Sequence, residues 1–318
     1  MRPVLSARLR SARLLRPARL LSGRSGTHGR RRSAGLRLLV PVALLAASVL
    51  GLPATASAAP AGSTPRYYLA LGDSLAAGYQ TTPDGGHVVG RGYAQDIAQV
   101  LGARAASAGQ PFGFTDLGCP GESTTTMVGG GCPYPHPYPG SQLAEAEKFL
   151  AAHHRDQVLV TLDIGANDIG GCTAGGSIDL PCTLAGIRTA GHGLDTVLTR
   201  LRAAAGPQTR IIGMNLYDPY LAAWTTGDQG RATAVLSVPL AGLLNLTIAG
   251  VDAAHGVPTV DVARAFGTDA FLPTVPVNGT RLPSNVARIL RWTNMARGDV
   301  HANDAGYQVI ADTFLTRI

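Results

Sequence analysis

The run Val158-Leu159-Val160-Thr161-Leu162-Asp163-Ile164-Gly165-Ala166-Asn167-Asp168 decides how this chain is read. Its first seven residues are almost continuously apolar, the pattern of a strand covered on both faces. Gly-Ala-Asn-Asp then breaks the run into a polar turn. Outward from this point, strands and helices are expected to alternate. A helix over 142–153 leads in, and a helix over 184–205, with Leu194, Leu198 and Leu201 on one face, leads out. Further upstream come a strand over 67–71, an amphipathic helix over 93–101 and a weaker strand over 112–116. Downstream are a strand over 210–216, a long helix over 231–255, a strand over 258–262 and a last helix from 304 to 316. The alternation predicts an α/β domain whose parallel sheet has helices on both sides and whose site lies at the carboxyl ends of the strands.

The formal charge of +7 over 318 residues is misleading. Residues 1–58 hold eleven arginines and no acid, so 59–318 carries sixteen basic against twenty acidic residues, a net of −4. No basic patch remains for nucleic acid. The Arg-rich start, the short apolar stretch 38–52 and Ala56-Ser57-Ala58 read as an export signal cleaved near Ala58/Ala59. The remaining 59–318 suits a single domain, exported, monomeric and without a membrane anchor once cleaved. An uncleaved anchor is the alternative.

Cys119, Cys132, Cys172 and Cys182 all lie in that exported part. An even count in an oxidising compartment argues for two disulfides, and of three connectivities the nearest-neighbour pairing is favoured. No Cys-x-x-Cys pair supports zinc, and no cofactor is expected.

Three words carry chemistry: Gly72-Asp73-Ser74-Leu75, Gly165-Ala166-Asn167-Asp168 and Asp299-Val300-His301. Ser74 follows a strand where the chain turns towards a helix; it is a nucleophile or an ordinary helix cap. Gly-x-Ser-x-Gly is absent, since residue 76 is alanine. Asn167 is an amide donor for an oxyanion or a turn former, and Asp168 reads as scaffold. Among the histidines beyond the export segment, His301 alone is preceded closely by a carboxylate and followed by a helix start. It suits a general base, with Asp299 to orient it, whereas His87 and His136 show no partner pattern. The glycines of Leu117-Gly118-Cys119-Pro120-Gly121-Glu122-Ser123-Thr124 admit a further backbone donor or a plain pinned turn.

Together these blocks resemble those of the SGNH, or GDSL-type, hydrolases, most closely the secreted actinobacterial lipases and esterases. The resemblance runs from about Tyr67 to the C-terminus. It implies a flavodoxin-like three-layer α/β/α sandwich with Ser74 as nucleophile, His301 as base and Asp299 as third member. It also implies an oxyanion hole formed by the Ser74 N–H, the Gly121 N–H and the Asn167 side chain. Two departures stand out. The family places its acid three residues before the histidine, where this chain has Gly298, and some members use a backbone carbonyl instead. The third cysteine pair common in the secreted branch is missing from 290–297, so that segment is expected to be looser.

Residues 263–298, with Phe266, Phe271, Leu272 and Trp292, interrupt the alternation and are expected to form one wall of the substrate cleft, with a passive surface excursion as the alternative. The expected activity is a secreted carboxylic ester hydrolase acting on an ester or lipid through an acyl-enzyme. Rivals are an acetyl-polysaccharide esterase, a phospholipase, or a non-catalytic surface binding module.

Overall fold

The computed structural model describes residues 64–174 and 176–318. The expected export segment 1–58, with its cleavage site, lies outside these residues. Five strands form a parallel sheet: β1 (Tyr67–Gly72), β2 (Gly113–Asp116), β3 (Val158–Asp163), β4 (Thr209–Met214) and β5 (Thr259–Val260). Their order, β2-β1-β3-β4-β5, is the flavodoxin-like one, in which the chain reverses direction of growth between β1 and β3. All six residues of β3 are buried, as its apolar run requires.

The helices are α1 (Tyr93–Ser107), α2 (Thr124–Gly129), α3 (Gln142–Ala152), α4 (Leu180–Ala204), α5 (Asp228–Ala254), α6 (Val262–Phe266), α7 (Ser284–Trp292) and α8 (Asp304–Leu315). α1 packs on α8, with α6 and α7 also against α8; α3 packs on α4, and α4 on α5. Tyr93 and Phe314 stack at 5.1 Å between α1 and α8. These two sets of helices flank the sheet.

Residues 263–298 are not an irregular excursion. They hold the end of α6, a hairpin of Thr274–Val277 with Thr280–Pro283, and α7. Val286 and Ile289 of α7 are fully buried, which anchors the segment in the core.

Register sets up the site. Gly72 of β1 lies opposite Asp163 of β3, so the turns that follow the two strands leave the same sheet edge side by side.

Candidate active site

β1 can end as it does only because residue 72 is glycine. Its φ is 144°, and a Cβ there would stand 2.2 Å from the Asp163 carbonyl oxygen and 2.4 Å from Asp163 Oδ1. Gln142 clamps this turn. Its Oε1 accepts from Gly72 N at 2.7 Å, while Nε2 donates to Gly72 O at 2.9 Å and to Glu122 Oε2 at 3.1 Å.

Two residues on, Ser74 Oγ lies 2.8 Å from His301 Nε2. On the far side of the ring, Nδ1 is hydrogen-bonded to Asp299 Oδ1. That oxygen also accepts from His301 N at 3.1 Å, and Oδ2 accepts from Thr81 N at 3.1 Å. The carboxylate thus closes a tight turn onto its own histidine, which is how a spacing of two residues suffices. Burial would raise the Asp299 pKa. The hydrogen bonds from His301 and Thr81 and the nearby imidazole charge outweigh it and hold the carboxyl well below its ordinary range. A fixed anion on Nδ1 keeps the proton there and leaves Nε2 free to accept from the serine hydroxyl.

The turn bearing His301 is braced from behind. Asn303 caps α8, accepting from Gly306 N at 3.1 Å, and its amide donates to Arg291 O at 2.9 Å. Asn294 N donates to His301 O at 2.9 Å, and Asn303 N to Trp292 O at 3.0 Å. Tyr217 Oη donates to Val300 O at 2.8 Å. Its ring stacks on Phe266 at 4.5 Å, which meets Trp292 edge-on at 5.3 Å. Residues 263–298 therefore support the histidine. The stretch 290–297, expected to be loose without a cysteine pair, is held by these bonds.

Asn167 follows β3 and joins the other two words. Its Nδ2 donates to Glu122 O at 2.9 Å, one residue past Gly121, and lies 3.4 Å from Asp73 Oδ2, one residue before Ser74. The three donors named from the sequence are thus neighbours, and among the described residues the Ser74 and Gly121 N–H groups donate to nothing. Gly121 has φ of 86°, and a Cβ would strike Pro133 Cγ at 2.6 Å. The Pro-rich loop therefore presses directly on this turn. Asp168 accepts from Thr124 N at 3.0 Å and Thr124 Oγ1 at 2.7 Å, tying the Asn167 turn to the start of α2.

Below Ser74 lies a buried acid pair that the sequence reading did not single out. Asp73 N donates to Asp163 Oδ2 at 3.4 Å, and Tyr93 Oη donates to Asp163 Oδ1. Burial first, then the Asp73 charge, pushes the Asp163 carboxyl well above its usual range. Asp73 Oδ1 accepts from Leu75 N at 2.9 Å and fixes the serine turn. His87 is not without partners: it stacks on Tyr79 at 5.2 Å, and Tyr79 lies against His301 at 4.7 Å.

An apolar cavity of about 150 Å³ opens beside Asn167. Ile169, Ile178, Leu216, Leu240, Leu244 and Val300 are among its lining residues. Several of its polar side chains are already engaged: Ser237 Oγ donates to Asp218 Oδ2 at 2.6 Å, and Asn245 bonds both Leu216 N and Leu216 O at 2.8 Å. The space is therefore chemically apolar. None of its lining comes from 263–298; Leu272, Pro273, Val277 and Trp292 of that segment line a separate opening. Phe266 could not serve, being fully buried in the core.

Both disulfides join nearest neighbours. Cys119–Cys132 pins the Gly121 loop, and Cys172–Cys182 closes the loop that supplies Thr173 and Ile178 to the cavity.

A serine, a histidine and a carboxylate in line at the carboxyl edge of this sheet define a hydrolase of the doubly wound α/β class. The model of the GDSL-like Lipase/Acylhydrolase family matches residues 70–309, and the chain belongs to that family. Among solved structures, phospholipase A1 from Streptomyces albidoflavus NA297 is similar, at 20% identity and a TM-score of 0.50, covering 80% of this chain and 100% of that one. An extracellular lipase from Streptomyces rimosus is 18% identical, with a TM-score of 0.50, covering 79% of this chain and 99% of its own. These likenesses are ones of fold. No curated protein matches the chain.

Proposed function

We propose that the protein is a secreted carboxylic ester hydrolase working through an acyl-Ser74 intermediate. His301 Nε2 takes the Ser74 proton as Oγ adds to the ester carbonyl. The resulting oxyanion is held by the Ser74 N–H, the Gly121 N–H and the Asn167 amide. Collapse expels the alcohol, which leaves with the proton from His301. Water then gives a proton to His301 as it attacks the acyl-serine, and collapse returns that proton from His301 to Ser74 Oγ as the Oγ–acyl bond breaks and the acid leaves. Asp299 remains ionised throughout and stabilises the imidazolium. The observation that carries this reading is the 2.8 Å Ser74–His301 contact backed by the Asp299 carboxylate.

The apolar cavity beside Asn167 supports a substrate with an acyl chain of several carbons over an acetyl group. A phospholipid ester falls within the same reading. The two disulfides and Ala56-Ser57-Ala58 support export, with Ala59 as the first residue of the mature chain.

Ser74→Ala should abolish turnover of p-nitrophenyl butyrate, and a fluorophosphonate probe should label the parent protein at Ser74. Full turnover by that variant ends the proposal, and an unlabelled parent protein would favour a binding module. A series of esters from acetyl to long acyl should peak beyond acetyl; a sharp acetyl optimum would favour an acetyl-polysaccharide esterase.

A further inference from the structure

α5 is apolar on both of its sides, yet only one of them is packed. Its inner face, with Ala234, Ser237, Leu244, Asn245 and Ile248, is buried in the domain. Its outer face leaves Val235 at 52%, Leu236 at 43%, Leu243 at 42% and Leu246 at 74% exposure. From Ala232 to Val251 the helix has no charged residue. A surface helix ordinarily turns charge to water on its outer side, and a contiguous apolar patch there marks an interaction site.

Where this face leads identifies its occupant. Leu236, Leu240 and Leu243 recur at i, i+4 and i+7, so they form one stripe along the helix. Leu240 in that stripe is also a wall of the cavity beside Asn167. Val300, next to His301, lines the same cavity and is itself 39% exposed. The outer leucines are therefore continuous with the space assigned above to the acyl chain. The excess of acid over basic residues in 59–318 argues against an anionic surface, and a chargeless stripe matches a zwitterionic one.

We propose that the outer face of α5 seats the protein on the surface of zwitterionic lipid aggregates, so that an acyl chain passes from the lipid along Leu240 into the cavity. The delivery of substrate rests on the ester hydrolase reading, but the docking itself does not. A helix lying in the interface with its apolar side down is a known mode of reversible attachment.

The test is sedimentation of the mature protein with sucrose-loaded phosphatidylcholine vesicles, run on Ser74→Ala so that the lipid is not consumed. The Ser74→Ala protein should co-sediment, and adding Leu236→Gln, Leu243→Gln and Leu246→Gln should weaken partition about a hundredfold. In the Ser74 background the same three changes should leave soluble p-nitrophenyl butyrate turnover within about twofold, while hydrolysis of vesicle lipid falls in step with binding. Leu246→Gln alone, at the most exposed of these positions, gives a smaller loss in the same direction if the triple variant folds poorly. Equal sedimentation of parent and variants overturns the proposal. So does stronger binding to phosphatidylglycerol vesicles that the leucine changes leave untouched, which would assign attachment to charge. A dimer by light scattering that the same substitutions dissociate would show a second copy covering the face, and would overturn it too. Activity of Ser74→Ala on soluble ester would sink the catalytic reading without touching the sedimentation result.

Discussion

At residue scale, the site depends on keeping one proton where it belongs. Asp299 is ionised and its two oxygens are fully engaged by His301 and Thr81, so Asp299→Asn keeps the shape but presents an amide to Nδ1. A drop of about 10³–10⁴ in kcat for a short-chain ester is expected, because the favoured tautomer is then wrong. Unchanged kcat in that variant would mean a backbone carbonyl orients the ring. On the proposed mechanism Asn167→Ala removes one oxyanion donor, and kcat should fall about 10²–10³-fold with little change in KM. A rise in KM alone would make Asn167 a ground-state contact. Ser74, Asn167, His301 and Asp299 were legible because each sits in a polar word at a strand or helix end. Asp163, Gln142 and Tyr93 were not. They are the first residues of α1 and α3 and the last of β3, where no polar word sets them apart from the buried pattern, and only the pairing of β1 with β3 brings Asp163 beneath the serine turn.

At the scale of elements, the alternation of strands and helices was readable because β3 and β4 are short buried runs between long amphipathic helices. Most ends shifted by four residues or fewer, but α1 runs on from the expected 101 to Ser107. α7 was missed although Val286, Ile289 and Leu290 have helical spacing, since the Gly and Pro residues before it make the whole of 263–298 look irregular. The cavity could not be read at all: its lining comes from the turn after β3, the disulfide loop, the turn after β4 and the middle of α5, which meet only in three dimensions. The Cys172–Cys182 bridge closes a loop of ten residues beside that cavity. Replacing both cysteines by serine should cost about 2–3 kcal/mol by denaturant titration. It should also raise KM for long-chain esters more than for acetyl esters. A stability loss with no change in chain-length preference would separate the bridge from the cavity.

For the molecule as a whole, buried carboxyls set how stability answers to pH. Burial raises the carboxyl of Asp116 to about 7 and those of Asp218 and Asp252 to about 6. Each folded value exceeds the unfolded one of about 3.9, so these groups stabilise fully below about pH 4 and lose that contribution as pH rises through 6 and 7. Asp299 acts oppositely, its depressed value giving stability above about pH 4 that is lost only in stronger acid. Thermal denaturation should therefore show a higher Tm at pH 5 than at pH 8. Asp116→Asn should flatten the slope, by up to about 3 kcal/mol across the interval. A Tm that rises from pH 5 to pH 8 would refute this.

The order of the sheet has a kinetic corollary. β1 is the earliest of the five strands along the chain, yet it sits between β2 and β3, both far downstream. It cannot find its place until more than half of the polypeptide exists, and such distant pairings make for slow folding. A newly made chain of this topology stays threadable for longer, which suits the export proposed for it.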